Sequence, residues 1–349
     1  MQQLGRLSPL TLIQYVSCLI LTWLNILFSY TIEHVDLTML NVEIITDFKD
    51  YGQIHHIHFS PFEWTKDVIL LSFENKILFV RLLFKESIVI EKVYEFAHPT
   101  RCTALGISPN MSLTVVPNQV IFAAAGTDYK IRIFESDLQK NNLCKVLIGH
   151  TSYINDISFD SENTYLASAS DDNTVKIWYC DKFKLKSTFH LTSAAITVAW
   201  HRSDPGKLLV AEKIGLVKFF NTETETPILS LDFAKSLSSA HWAPSDSRIL
   251  GTLQLGELLL WDLTKPCLPQ QSTLLFSENG GNIKFSPQGE LVAAVNSLDG
   301  SLKAVHTITQ SLKLTASVSL PTNVQWHLHY PVVCVGDDTK LCFWKITSF

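Results

Sequence analysis

The chain is 349 residues long, 46% hydrophobic and 17% charged, with a formal net charge of −5 at pH 7. No run of Lys and Arg exceeds two residues, so the clustered basic excess of a nucleic-acid footprint is missing and direct nucleic-acid binding is not expected. The apolar content is ample for one large folded domain with a continuous core.

Residues 1–38 stand apart from the rest. No charged residue occurs from Leu7 to Ile32, and Leu10–Phe28 is mostly aliphatic and aromatic. That run is long enough to span a bilayer, which needs about 20 apolar residues, and Arg6 supplies a short positive flank. Three readings compete: a membrane anchor or uncleaved signal, a cleavable signal peptide without a clear small-x-small site, and an upstream gene-model extension. The extension reading is favoured, because Met39 stands just before the β-prone run Val42–Thr46. Seven cysteines and a single glycosylation sequon at Asn110-Met111-Ser112 also fit a lumenal domain poorly. On this reading residues 1–38 are a hydrophobic extension and 39–349 form the folded domain. Membrane contact is expected only if residues 1–38 are present and used.

Beyond Met39, short apolar runs recur, each ending on an aromatic or aliphatic residue followed by a small or polar one. The series is Phe59-Ser60-Pro61, Ile107-Ser108-Pro109, Phe159-Asp160-Ser161, Trp200-His201, Trp242-Ala243-Pro244, Phe285-Ser286-Pro287 and Trp326-His327. Successive members lie 41 to 52 residues apart. A second series keeps the same count: Ile77–Val80, Ile131–Phe134, Val175–Trp178, Val217–Phe220, Leu258–Trp261, Leu302–Val305 and Leu341–Trp344. The third unit is the most complete, opening with Gly149-His150-Thr151, continuing through Leu166-Ala167-Ser168-Ala169-Ser170-Asp171-Asp172 and closing on Ile177-Trp178. It resembles one blade of a WD-repeat β-propeller, whose repeats run about 40–45 residues.

Two registers that count to the same total predict an all-β fold, a seven-bladed WD-repeat β-propeller, with an all-β sandwich of chance periodicity as the competing reading. Val42–Thr46 is placed to pair with the last blade and close the ring. The long spacing from Ile107 to Phe159 predicts surface loops at Asn110–Asn118 and Glu135–Leu143. The second unit is degenerate: it keeps His98 and Asp128 but has Ala124 for Ser and Phe134 for Trp.

The WD pattern implies that His150, Ser168, Asp172 and Trp178 form a hydrogen-bonded chain inside the third blade. Such a chain satisfies polar groups whose burial without partners costs roughly 1–3 kcal/mol each. A hydrolase reading of the Asp-His-Ser set competes, but the closing Trp and the strand context account for all four positions structurally. The cysteines Cys18, Cys102, Cys144, Cys180, Cys267, Cys334 and Cys342 show no zinc spacing, which points to a reducing compartment, with Cys334 and Cys342 on adjacent strands of the last blade. His55-His56-Ile57-His58 and His327-Leu328-His329 carry the HxH spacing of two imidazoles on one strand face, and strand packing is favoured over metal binding. No phosphate-binding loop, dinucleotide fingerprint, HExxH or nucleophile elbow occurs, so no catalytic residue, cofactor or metal is expected.

Two stretches go beyond generic WD character. One is Asp128-Tyr129-Lys130-Ile131-Arg132-Ile133-Phe134-Glu135-Ser136-Asp137-Leu138-Gln139; the other is Leu209-Val210-Ala211-Glu212-Lys213-Ile214-Gly215. With the Tyr51–Glu63 region and the ending Cys334–Trp344, they resemble a family of small WD-repeat nucleoporins, the thirty-seven-kilodalton subunit of the Y-shaped outer-ring complex of the nuclear pore. The resemblance covers roughly Thr46 to Ile346 and finds no counterpart for residues 1–38. It implies an architectural role: docking on a large helical-solenoid nucleoporin of that complex, beside other outer-ring nucleoporins, at the nuclear envelope. In animals it also implies association with kinetochores in mitosis. The alternative is a WD-repeat adaptor of another assembly, such as a ubiquitin-ligase substrate receptor or a chromatin-complex subunit. Affinity would come from a few aromatic or Arg anchors, with Tyr129, Phe183 and Trp64 as candidates that sequence cannot separate from core aromatics.

Overall fold

The computed structural model describes residues 42–84, 88–139, 141–204 and 206–346. The apolar segment 7–32, Cys18 and the boundary expected at 38/39 lie outside the described residues. Seven antiparallel four-stranded sheets follow one another along the described chain. Blade 1 comprises His56–Phe59, Val68–Ser72, Lys76–Phe84 and Ile88–Ala97. Blade 2 has Cys102–Ile107, Val120–Gly126, Ile131–Ser136 and Asn142–Leu147, and blade 3 has Ile154–Phe159, Tyr165–Ser170, Thr174–Tyr179 and Lys184–His190. Blade 4 has Ala195–Trp200, Lys207–Glu212, Leu216–Asn221 and Thr226–Asp232. Blade 5 has Leu237–Trp242, Ile249–Gln254, Glu257–Asp262 and Gln271–Leu274. Blade 6 has Asn282–Phe285, Leu291–Asn296, Ser301–His306 and Leu312–Ser317. Blade 7 takes three strands from the end of the chain, Pro321–Trp326, Val332–Asp337 and Lys340–Lys345, and its fourth from the beginning, Val42–Asp47. The seven-bladed propeller is therefore the fold, closed by the N-terminal strand as its position suggested.

First strands of neighbouring blades contact one another around the whole ring, including blade 7 to blade 1, so they line the central channel. Second strands are buried on both faces, and that of blade 1 carries the unbroken apolar run Val68-Ile69-Leu70-Leu71. Their period of two sends alternate side chains to opposite neighbours. Val68 and Leu70 pack with blade 2, whereas Ile69 and Leu71 pack with blade 7. The core is accordingly seven apolar layers, one at each junction between blades. Each blade is held by its neighbours, which is how a blade with a degenerate sequence keeps its place.

The polar residue after each first strand has a chemical reason. Its side chain accepts the backbone N–H groups of the turn that follows. Asp160 Oδ1 takes Thr164 N at 2.8 Å and Tyr165 N at 3.1 Å; Ser108 Oγ takes Asn110 N at 3.0 Å; Ser286 Oγ takes Leu291 N at 3.1 Å. The imidazoles of His201 and His327 do the same through Nδ1, at 3.0 Å and 3.1 Å to the amides three residues on. Blade 5 has Ala243 there, and the indole of Trp242 instead donates to the Ser247 carbonyl.

Three sequence expectations need correction. The unit running from Gly149 to Trp178 supplies three of the four strands of its sheet rather than the whole blade, because Trp178 lies on the third strand and Lys184–His190 follows it as the outer strand. The loop expected at Glu135–Leu143 is shorter: strand continues to Ser136 and resumes at Asn142, and Asp137 caps the turn between them by accepting Gln139 N at 2.8 Å. His327-Leu328-His329 is not on a strand. It follows Trp326 as a turn, so the two rings point to different partners rather than along one face.

Candidate functional site

The third blade brings its four sequence-predicted residues together. His150 follows the outer strand of blade 2 and precedes the first strand of blade 3. Its Nδ1 lies 2.8 Å from Asp172 Oδ2 and its Nε2 lies 2.7 Å from Ser168 Oγ. The indole Nε1 of Trp178 donates to the same Ser168 oxygen at 2.9 Å. Asp172 also accepts the backbone amides of Thr151 and Thr174, each at 3.0 Å, which ties the entering loop to the turn between the second and third strands. Burial holds the His150 imidazole below its ordinary pKa, partly offset by the Asp172 carboxylate. A Cβ on Gly149 would stand 3.0 Å from the Trp178 ring, which explains a glycine before the histidine. Ser168 has no solvent exposure, and its hydroxyl is committed to His150, Trp178 and the Lys176 carbonyl. A nucleophile needs a free face toward its substrate, and this hydroxyl has none.

Blade 2 carries the same frame with different contacts. Asp128 is gripped by Arg132 through two hydrogen bonds, at 2.9 Å and 2.6 Å, which hold its carboxyl below the usual range. His98 therefore turns its Nδ1 to the Thr100 carbonyl, and its buried Nε2 finds no partner among the described residues, because Ala124 offers no hydroxyl. Blade 5 keeps half the set, with Trp261 Nε1 donating to Thr252 Oγ1 at 2.9 Å. Blade 4 substitutes an ion pair: Glu212, fully buried, accepts Thr192 N and Ser193 N and binds Lys218 Nζ at 2.6 Å.

Closure between blades 7 and 1 rests on residues whose roles sequence did not reveal. Asn323 accepts Ile57 N at 2.8 Å and donates to Ile57 O at 2.7 Å. His327 Nε2 reaches Asp67 at 3.2 Å, and His329 Nε2 reaches Glu63 at 2.6 Å. Of the other histidine cluster, His55 pairs with Glu74 at 3.0 Å, while His56 and His58 share the channel side of their strand. Among the described residues no group of His, Cys, Asp and Glu is placed to hold a metal ion. Cys334 and Cys342 sit on adjacent strands but face opposite junctions, toward blades 1 and 6, and burial raises both thiol pKa values. No helix among the described residues is long and apolar enough to cross a membrane.

The three aromatic candidates do not converge. Trp64 is half-exposed beside the channel mouth, stacked on Phe62 and donating to the Met111 carbonyl at 2.7 Å. Phe183 lies beneath Lys145, whose Nζ is 3.9 Å from the ring centroid. Tyr129 packs edge-on against Tyr153 at 5.2 Å. Trp64 follows a first strand and Phe183 a third, so both lie on one face of the disc, whereas Tyr129 follows a second strand and lies on the other.

Comparison with known proteins agrees with this architecture. The family model described as "WD domain, G-beta repeat" matches residues 141–179, spanning the outer strand of blade 2 and the first three strands of blade 3. Nucleoporin Nup37 of Mus musculus is 31% identical over 318 residues, covering 87% of this chain and 97% of the mouse protein. Nucleoporin Nup37 of Homo sapiens gives the same identity and coverage. The Drosophila melanogaster protein of that name is 32% identical over 246 residues, covering 70% of this chain and 77% of its own length. With the similarity extending across nearly the whole of the mouse and human proteins, this chain belongs to the Nup37 family of WD-repeat nucleoporins.

Proposed function

We propose that this protein is a structural subunit of the nuclear pore complex, docking as a rigid disc on a large helical-solenoid nucleoporin of the Y-shaped outer-ring complex. Its place is then the nuclear envelope, beside other outer-ring nucleoporins, in support of pore assembly and of protein and RNA transport. The observation that carries this reading is similarity to Nup37 over 87% of the chain. The sealed Asp172-His150-Ser168 set supports a role without catalysis by that set, since its hydroxyl is spent inside the blade. A ring of seven packed junctions offers two faces and a rim as partner surface at little ordering cost, because interfaces gain affinity when the binding surface is already fixed.

The direct test mixes the purified full-length chain with the helical Y-complex subunit of the same organism on a sizing column. Co-elution at one-to-one stoichiometry, insensitive to moderate salt, is the expected result; salt screens exposed charge pairs far more than apolar anchors. Two separate peaks at micromolar protein would sink the assignment. We further propose that residues 1–38 stand outside the propeller domain, 39–349. Mass spectrometry of the endogenous N-terminus tests this: a peptide beginning at or just after Met39 supports it, and peptides from 7–32 in carbonate-resistant membranes overturn it.

A further inference from the structure

Five ionisable side chains share the central channel. His56 and His58 come from the first strand of blade 1, Asp156 from blade 3, His241 from blade 5 and Lys284 from blade 6. Each is half-buried, while the apolar residues that alternate with them, Ile57, Phe59, Ile283 and Phe285, are buried in the junctions. The polar side chains therefore face the axis. His58, His241 and Lys284 line a cavity of about 540 Å³ that opens on the face carrying the turns between first and second strands, with Trp200 and Trp326 in its wall and the exposed Arg202 at its mouth.

Around Lys284 the wall offers more donors than acceptors, because the two carboxylates of the lining are engaged away from it: Glu63 with Lys66 and His329, and Asp160 with the amides of Thr164 and Tyr165. The Lys284 ammonium has three N–H groups, yet it makes no hydrogen bond or ion pair with any described residue, and its only opposite charge within electrostatic range is Asp156. Asp156 is itself tied to the wall, accepting Val198 N at 3.0 Å. His241 accepts Phe285 N through Nδ1 at 3.3 Å, which leaves its Nε2–H as a donor. His56 Nδ1 is buried and finds no partner among the described residues. An ammonium withdrawn from bulk water without an acceptor is costly, and an anion in the cavity would supply the missing acceptors. A cation would meet the Lys284 charge instead.

We propose that the central channel is a binding site for a compact oxyanion of the phosphate class, held by Lys284 with His58 and His241, and drawn in past Arg202 at the mouth. Binding is coupled to proton uptake. Burial depresses the imidazoles, His56 to about 4 and His58 to about 3, with His241 also well below its ordinary value, and burial raises the Asp156 carboxyl. A bound dianion favours the protonated form of all four groups, so affinity rises as pH falls.

Isothermal titration of the full-length protein with sulfate tests this, because sulfate keeps its charge from pH 8 to 6. Expected are saturable one-site binding absent with chloride at matched ionic strength, tighter binding at pH 6 than at pH 8, and a loss of about tenfold or more in Lys284→Met. Asp156→Asn removes the opposing carboxylate and binds more tightly. Lys284→Met should melt no lower than the parent without anion, since it removes a desolvated charge, and Lys284→Gln serves if the methionine variant does not fold. Inorganic phosphate and tripolyphosphate, titrated in parallel, separate the sources. Preference for phosphate assigns the free ion and preference for tripolyphosphate a phosphorylated chain. The absence of saturable binding for all three anions, or unchanged affinity in both Lys284 variants, would overturn the site.

Discussion

Blades 2 and 3 adjoin, share one strand arrangement and place a histidine and an aspartate at matching positions, yet only blade 3 completes the polar chain. In blade 3, Asp172 binds His150, which binds Ser168, which receives Trp178. In blade 2 the guanidinium of Arg132 captures Asp128, Ala124 and Phe134 remove the remaining partners, and His98 keeps a buried nitrogen without a partner among the described residues. Both blades are nonetheless equally regular sheets, joined by a common apolar layer. Packing between blades therefore sets the position of a sheet, while the polar chain adds local stability where a sequence retains it.

Acidification is the broadest way to break that comparison, because it acts on both blades and the channel together. His55, His56, His58, His98, His150, His201, His241 and His327 all have pKa values lowered chiefly by burial. Below an unfolded value near 6.5 the unfolded chain binds more protons than the folded one. Their stabilisation is therefore fully present above about pH 7 and is lost as pH falls toward the folded values. Asp156 and Asp160, raised by burial, act in the opposite sense: each costs stability while ionised, and that cost falls away as pH drops through its raised folded value. Chemical denaturation at pH 7 and pH 5 should differ by several kcal/mol, about 4 if His56 and His58 alone are counted. Equal stability at the two values would contradict the burial of these rings.

Next in size is the loss of the indole. Trp178→Ala empties a buried aromatic site and should cost roughly 3–5 kcal/mol, lowering the melting temperature of the whole ring. An unchanged melting temperature would mean that Trp178 is not buried as described. A contrast between histidines sharpens the comparison further. His150→Ala leaves Asp172 and Ser168 without their buried partner and should cost about 2 kcal/mol or more, whereas His98→Ala gives up one bond and relieves an orphan, costing about 1 kcal/mol or less. Equal losses would show that the two blades do not differ as their contacts indicate. The smallest effect is a graft: Ala124→Ser with Phe134→Trp gives His98 Nε2 an acceptor or donor and should leave stability unchanged or raise it by about 1 kcal/mol. A loss of more than that would show that blade 2 has no room for the chain.

What sequence made legible was what repeats with both faces buried. The first-strand endings from Phe59 to Trp326 and the third-strand runs from Ile77 to Leu341 fall on the expected strands in all seven blades. Outer strands left little trace, since one side meets solvent: Gln271–Leu274 is polar and Thr226–Asp232 is largely exposed. The hairpin at Ser136 to Asn142 was hidden by its polar composition, which suits a loop as well as an exposed strand end. The bonds closing the ring, Asn323 to Ile57 and His327 to Asp67, join positions about 260 residues apart, beyond any local pattern. The four residues of the blade 3 chain were legible because a WD repeat spaces them within thirty residues of one another. The channel cluster was not, because it assembles one or two residues from each of four blades.

A double-mutant cycle shows whether His150, Ser168, Asp172 and Trp178 act as one hydrogen-bonded unit holding their blade. Unfolding free energies are measured for the parent, Ser168→Ala, Trp178→Phe and the double variant. Trp178→Phe keeps an aromatic ring and removes the donor; Ser168→Ala removes the shared oxygen. The account predicts a coupling of about 1 kcal/mol between the two changes, the double variant losing less than the sum. Additivity within about 0.3 kcal/mol would contradict it.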